Sequence, residues 1–520
     1  MLRSVALVGY EDGDRSWLNG DLPVHDLAFV ADGWVTRNYL EGVALDASGF
    51  VTGDSAYWQD GVQSDVLAGD ANPAAAVGTI NLTALRSGRT SLPQPEPGFA
   101  TFLYRSDLNL GEGVQGEGNS AVYAGPYQPY LVWLPQKPRP GLPLVLYLHG
   151  SSQTHISPVN TAHHDPDSVV PFVGLPDKVF DLDAVVAWPL GRGPQQWYRG
   201  ASEQDVLDVA DDVVRRLELD ADRVMLAGMS MGGMGAFRLG QLYPDRWSLV
   251  YSDVGTDQLD LLSNLTNVPL RFHNGALDPL VSYEDAQLAR ARADKAGTVD
   301  YRSWILTKGS HQPAARLAEC VYLEAHSRTR SVAPSRVRYT VDPSMAQDDP
   351  RTGLRLDYDG AYWVDGMRPA STGPASVDLR TMALGTTLAI GTTSTALHQN
   401  ITSGRDFCGE NPQAQGADAW TEQAREVVEQ KRPAVAELAG ALSGLSAVSV
   451  DAATAGLTRH PAARLSLSSD HPITLTLTRL RPGSRLHLGG STAVADDAGT
   501  ATLRLPRGAS TIRLLNARPA

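Results

Sequence analysis

The sequence predicts an α/β core, a doubly wound and mostly parallel sheet, flanked by β-rich regions on its N-terminal and C-terminal sides. Three observations carry this expectation. Between about residues 119 and 330, short apolar runs alternate with helical patterns, the signature of parallel strands covered by helices. On either side, apolar stretches are broken by Gly, Asp, Asn and Pro at intervals typical of strands and turns. The length, 520 residues, exceeds what one compact core holds.

Residues 1–118 read as a β-rich N-terminal domain, with strand-like stretches at 4–10, 27–31, 78–82 and 99–104, and the Gly-rich run 111–118 closes it as a linker. The α/β unit spans 119–330. Its strands fall at 144–148, 184–188, 223–227, 248–252, 268–273 and 301–306, the first of them apolar throughout and therefore buried on both faces. Between the second and third, Val206, Val209, Val213, Val214 and Leu217 recur at helical spacing, and Asp205 sits where an acid favours a helix start. The stretch 151–183, holding Pro158, Pro166, Pro171 and Pro176, predicts an irregular loop over one end of the sheet. Residues 331–520 return to strand-like segments and read as one or two β-sandwich-like domains. A polar helix is predicted over 419–442, kinked or split by Pro433.

Composition narrows the partners. With 42% hydrophobic and 20% charged residues, the chain is of the globular type, and no apolar run approaches the ~18 residues of a membrane-spanning helix. Lys+Arg 44 against Asp+Glu 58 gives −14, which argues against nucleic acid or an anionic bilayer as a partner. The two cysteines, Cys320 and Cys408, exclude a disulfide scaffold and a multi-cysteine metal site and leave room for one bridge. The apolar stretch 4–10 is too short for a secretory signal, so the chain is either cytoplasmic or a trimmed mature form.

The sharpest local feature is Gly228-Met229-Ser230-Met231-Gly232-Gly233. A serine on a tight strand-to-helix turn needs small residues two before and two after it, because the turn presses neighbouring backbones together. The bare pattern is weak, but a buried strand precedes it and a helical pattern follows it. A serine hydroxyl is a poor nucleophile near neutral pH and needs an imidazole to take its proton and a carboxylate to orient that imidazole. Downstream, Asp278 follows the fifth strand on a turn and His311 follows the sixth in a Gly-containing loop. The order Ser230, Asp278, His311, each after a strand's carboxyl end, is that of the nucleophile-elbow hydrolases. An oxyanion needs two donors: Met231 N–H comes with the elbow, and the loop His149-Gly150-Ser151 supplies the second, read as Ser151 N–H with Gly150 and Ser152 as competitors.

Rival readings stand beside these. Asp253 and Asp257 after the fourth strand compete with Asp278, and His326 competes with His311, although it lies in a helical pattern. His273 lies within a strand and reads as a core histidine. His163-His164-Asp165 lacks a third or fourth partner at metal spacing and reads as a solvated loop. Trp197 and Tyr198, beside Gly191-Arg192-Gly193, either line an acyl or sugar pocket or simply pack. No dinucleotide fingerprint, phosphate-binding loop or His-Glu-Xaa-Xaa-His occurs, so neither a cofactor nor a metal is predicted.

The run Trp188-Pro189-Leu190-Gly191-Arg192-Gly193, then Trp197-Tyr198-Arg199-Gly200, Glu203-Gln204-Asp205-Val206, Asp222-Arg223-Val224 and the Ser230 elbow resembles α/β-hydrolases of the prolyl-oligopeptidase-like group, which shades into feruloyl and acetylxylan esterases and polyhydroxyalkanoate-depolymerase-like enzymes. The resemblance covers 119–330 and implies Ser230 as nucleophile, His311 as base, Asp278 as orienting acid, and Met231 with the 149–151 loop as oxyanion hole. Peptidases of this group carry a large propeller before the catalytic domain, and 118 residues are too few for one. The expected function is therefore a serine carboxylic-ester hydrolase acting on aryl or acetyl esters of polysaccharide, or on a polyester. A serine peptidase or amidase, and a catalytically inert carbohydrate-binding protein, are the alternatives. The resemblance and the accessory domains imply a place outside the cell.

Overall fold

A computed structural model of the chain describes residues 6–7, 27–28, 97–111, 114–115, 118–155, 183–257, 259–311, 315–399 and 419–517. Most of the expected N-terminal domain, most of the 151–183 loop, and the His163-His164-Asp165 string lie outside the described residues. Of the N-terminal stretches, Ala6–Leu7 pairs antiparallel with Leu27–Ala28.

The centre is a ten-stranded sheet. Its strands are β1 (Gly98–Arg105), β2 (Tyr127–Leu134), β3 (Leu144–Leu148), β4 (Val185–Pro189), β5 (Val224–Met229), β6 (Leu249–Asp253), β7 (Leu270–Gly275), β8 (Tyr301–Leu306), β9 (Ser394–Gln399) and β10 (Ala419–Arg425). The spatial order is β9-β10-β8-β7-β6-β5-β3-β4-β2-β1. β4, β3, β5, β6, β7 and β8 pair in parallel, whereas β2, β1, β10 and β9 add antiparallel edges. Every residue of β3 through β7 is buried, as expected where elements cover both faces of a parallel sheet.

Helices α1 (Ala201–Arg216), α2 (Met231–Leu242) and α3 (Tyr283–Ala296) share one core with the sheet: Val206, Val209 and Val213 of α1, Phe237 and Leu239 of α2, and Ala289 and Ala293 of α3 meet Leu146, Leu226, Val250 and Phe272. Helix α4 (Ala315–His326) lies against β6, where Tyr322 meets Tyr251 edge to face at 6.1 Å. Among the described residues no helix is long and apolar enough to cross a membrane.

The C-terminal region is one sandwich. A seven-stranded sheet containing Arg336–Val341, Ala375–Thr381, Glu437–Ser443, Ala462–Ser469 and Gly508–Leu515 faces a four-stranded sheet of Val364–Pro369, Leu445–Asp451, Ile473–Thr478 and Ala501–Leu505. Burial alternates with period two along Arg336–Val341, Ala375–Thr381, Ala462–Ser469, Ile473–Thr478 and Ala501–Leu505, and the inward residues Leu379, Leu465, Ile512, Val450, Leu475 and Leu477 form one core. That core continues into the α/β unit through Leu242 and Leu261. Polar contacts close the same junction. Buried Glu203 on α1 accepts from Tyr243 Oη (2.8 Å), from Tyr358 Oη of the sandwich side (2.6 Å) and from Arg238 Nη2 of α2 (3.2 Å).

Two expectations from the sequence change here. The boundary at 118 cuts the sheet, because β1 pairs along its length with β2, and the boundary at 330 separates β9 and β10 from the sheet they complete. The helix predicted over 419–442 is instead three strands: β10, Val427–Lys431 and Glu437–Ser443, with Pro433 between the last two. Glu, Gln, Ala and Arg favour helix locally, but pairing on the open edge of β8 outweighs propensity. Arg290 of α3 fixes that edge by donating to Thr421 O at 2.7 Å and to Ser303 Oγ at 2.7 Å.

Candidate active site

Strand β5 ends at Met229, and Ser230, with φ of 56° and ψ of −120°, turns the chain directly into α2. The close approach forecast for the flanking glycines is real: a Cβ at Gly228 would stand 2.3 Å from Gly232 O, and one at Gly232 2.0 Å from Leu148 O. Ser230 N–H donates to Asp253 O at 2.8 Å, tying the turn to the end of β6. Gly255 then packs on Ser230 O, and the chain reaches that contact through Val254 at φ 43°, a left-handed conformation that a β-branched residue adopts only under constraint.

The acid and the imidazole come from the next two strand ends, and the backbone clamps their loops together. Ala276 N–H donates to Leu306 O and Leu277 N–H to Gly309 O, both at 2.8 Å. A Cβ at Gly275 would lie 2.3 Å from Gly309 O, so the approach requires glycine. Asp278 Oδ1 accepts from Leu280 N (2.8 Å) and Val281 N (2.9 Å), while Oδ2 lies 2.7 Å from His311 Nδ1. His311 Nε2 lies 2.8 Å from Ser230 Oγ. Burial alone would raise the Asp278 pKa, but the bonds from His311, Val281 and Leu280 outweigh it and hold the carboxyl below its ordinary value. The carboxylate is thus ionised and fully engaged, with His311 Nδ1–H as donor and Nε2 turned to the serine.

The rivals stand elsewhere. Asp257 pairs with Arg199 at 3.2 Å, His326 faces Asp183 O from the end of α4, and Asp253 pairs with His273 at 3.0 Å inside the protein. His273 is a core histidine, as its strand position suggested, with Tyr251 Oη 3.0 Å from its Nδ1.

The loop after β3 approaches the serine on the other side, where a Cβ at Gly150 would stand 3.6 Å from Ser230 Cβ. Three of its amides are engaged: Gly150 N–H donates to Gln153 Oε1 (2.8 Å), Ser152 N–H to Pro194 O (3.0 Å) and Gln153 N–H to Gly150 O (3.3 Å). Ser151 N–H is the amide of this turn with no partner among the described residues. Met231 opens α2, so its N–H is one of the first-turn amides without an intrahelical acceptor. Both amides that the sequence nominated for an oxyanion are thus left without a backbone acceptor among the described residues.

Trp197 and Tyr198 part company. Trp197 is 43% exposed and available to a ligand, whereas Tyr198 is 1% exposed and does not line a pocket surface. The Tyr198 ring fills the space left by Gly191 and Gly235, and its hydroxyl donates to His149 O at 2.9 Å. The sequence offered no sign of two further contributors. Gln153 falls in the stretch 151–183 with no pattern to mark it. Asp205, expected at a helix start, is buried and accepts from Gly191 N at 2.8 Å and from Tyr104 Oη, with Arg192 Nε 3.7 Å away. This network anchors the start of the 190–200 loop at Gly191 and Arg192, and Arg192, Trp197 and Tyr198 take left-handed conformations along it.

No protein-family model matches the chain, and no curated protein matches it. Solved structures similar to it include a thermostable esterase (16% identity, 45% of this chain and 63% of that one, TM-score 0.33). Others are a ferulic acid esterase from Anaeromyces mucronatus in complex with ferulic acid (11% identity, 45% of this chain and 92% of that one, TM-score 0.32) and an S-formylglutathione hydrolase from Agrobacterium tumefaciens (15% identity, 46% and 98%, TM-score 0.33).

Proposed function

We propose that the protein is a serine hydrolase of the α/β-hydrolase fold that cleaves carboxylic esters through an acyl-enzyme. The observation that carries this reading is the continuous chain from Asp278 Oδ2 to His311 Nδ1 (2.7 Å) and from His311 Nε2 to Ser230 Oγ (2.8 Å). Ser230 Oγ attacks the ester carbonyl carbon while His311 Nε2 takes the hydroxyl proton, and Asp278 stabilises the imidazolium that forms. The developing oxyanion is met by the amides of Met231 and Ser151. Collapse expels the alcohol, which leaves with the proton from His311, and water repeats the sequence on the acyl-enzyme to release the acid. An aryl or acetyl ester of a polysaccharide, or a polyester, is the substrate class this reading takes. Cys320 is disulfide-bonded, which supports a place outside the reducing cytosol.

Ser230→Ala is the direct test. Turnover of a p-nitrophenyl ester should fall on the order of 10³-fold or more, with the melting temperature unchanged, and a fluorophosphonate should label wild type but not the variant. Wild-type turnover in Ser230→Ala would remove the mechanism. A panel of aryl esters, acetylated xylan, polyesters and short peptides separates ester from amide hydrolysis.

A further inference from the structure

The amides of the turn after β3 are not equivalent, because two buried side chains bind the backbone of the loop just before Ser151. Gln153 is buried, and its Oε1 accepts the Gly150 N–H at 2.8 Å. A Cβ at Gly150 would lie 3.1 Å from that same Oε1 and 3.6 Å from Ser230 Cβ, so the amide oxygen packs against the piece of backbone beside the nucleophile. Without this acceptor the Gly150 N–H would be a buried donor free to turn toward any other oxygen, including the one that develops on the substrate. From the opposite side, Tyr198 Oη donates to His149 O at 2.9 Å, and the Tyr198 and His149 rings meet edge to face at 5.7 Å. The His149 ring sits between Leu190 O (3.0 Å from Nε2) and Gly150 O (2.9 Å from Nδ1). Burial lowers its pKa, so the ring is neutral and donates to one of these carbonyls.

We propose that Gln153, with Tyr198 holding the other side of the loop, is a positioning residue for the oxyanion hole: its side-chain amide occupies the Gly150 N–H and so makes Ser151 N–H the second donor. The inference rests on the ester-hydrolase reading above. It also explains why a tyrosine next to an exposed tryptophan is sealed from solvent: Tyr198 supports the backbone of the site.

The test is Gln153→Met, which keeps the side chain's length and volume and removes the acceptor, with Tyr198→Phe as the second variant, which removes only the hydroxyl. Each is compared with wild type on an aryl ester and on its thionoester, in which a sulfur, a weak acceptor, replaces the carbonyl oxygen. In Gln153→Met, kcat on the ester should fall on the order of 10²-fold, the cost of about an ångström of misplacement, with KM nearly unchanged. The thionoester, which draws little from the hole, should fall much less, so the ester-to-thionoester ratio collapses. Tyr198→Phe should move the ratio in the same direction. An unchanged ratio in a folded Gln153→Met protein overturns the proposal. If that variant does not fold, the decision passes to Tyr198→Phe, where an unchanged ratio overturns it equally. Inactive Ser230→Ala together with wild-type ratios in both variants would sink this inference alone, and active Ser230→Ala would sink the reading beneath it.

Discussion

Among the described residues, two aspartate–histidine pairs stand at the carboxyl ends of neighbouring strands of the central sheet, and only one of them reaches a hydroxyl that a substrate can meet. Asp278 and His311 lie beyond the ends of β7 and β8, 2.7 Å apart, with the outer imidazole nitrogen 2.8 Å from Ser230 Oγ. Asp253 and His273 lie within β6 and β7, 3.0 Å apart, with Tyr251 Oη on the second ring nitrogen and no exposure to solvent. The chemistry of the pairs is alike and their placement differs. A side chain on a strand is committed to one face of the sheet and to whatever covers that face, here the tyrosines 147, 251 and 322. A side chain on the loop beyond a strand is free to turn over the sheet's rim toward the elbow.

The inner pair still serves the outer one. Ser230 N–H donates to Asp253 O, and Val254 N–H donates to His273 O at 3.0 Å, so the backbone of the buried pair holds both the elbow and the strained Val254 turn that backs it. Substitution separates the two roles. His311→Ala should abolish esterase turnover by about 10³-fold or more, because base and nucleophile act as one unit, while leaving the melting temperature near wild type. Asp278→Asn should be roughly tenfold milder, since the imidazole remains and loses only its orienting partner. A steady-state rate on an aryl ester measures both. Equal turnover in His311→Ala and wild type would erase the distinction between the pairs.

His273→Leu is the converse experiment. It leaves the Asp253 carboxylate buried without its partner, which costs about 3–5 kcal/mol of stability, while the triad atoms stay in place. Chemical denaturation should show the loss, and kcat per folded molecule should stay within about tenfold of wild type. A triad-sized loss of kcat in a protein that denatures normally would mean that His273 takes part in the chemistry.

The sequence made the outer pair legible and left the inner one hidden, for a physical reason. Ser230, Asp278 and His311 each follow an apolar run and sit among turn-forming residues, so the strand pattern alone points them to one rim. The Asp253–His273 contact depends on the register of β6 against β7, which sets those two residues opposite each other, and no local feature of either strand encodes that register. The helix expected over 419–442 failed similarly. Its helix-forming residues carry no mark of the β8 edge that captures them as β10. Tyr198 is intermediate: the sequence puts it near the sheet's carboxyl end, but whether an aromatic faces a ligand or the backbone is decided by packing against Gly191 and Gly235.

The smallest expected effect is also the most specific to the outer pair. The bonds to Asp278 hold its pKa below the ordinary carboxylate value despite burial. A group depressed in the folded state adds stability that is fully present above its unfolded pKa of about 4 and is lost as pH falls through the lower folded value. Asn at this position does not titrate. The part of the stability difference between wild type and Asp278→Asn that comes from the carboxylate's own titration should therefore shrink between about pH 4 and the acid limit of folding. Denaturant midpoints taken in parallel across that range measure it. A difference that stays level down to the acid limit would mean that the bonds from His311, Leu280 and Val281 do not favour the ionised carboxylate, and the ionised Asp278 that orients the imidazole would lose its electrostatic basis.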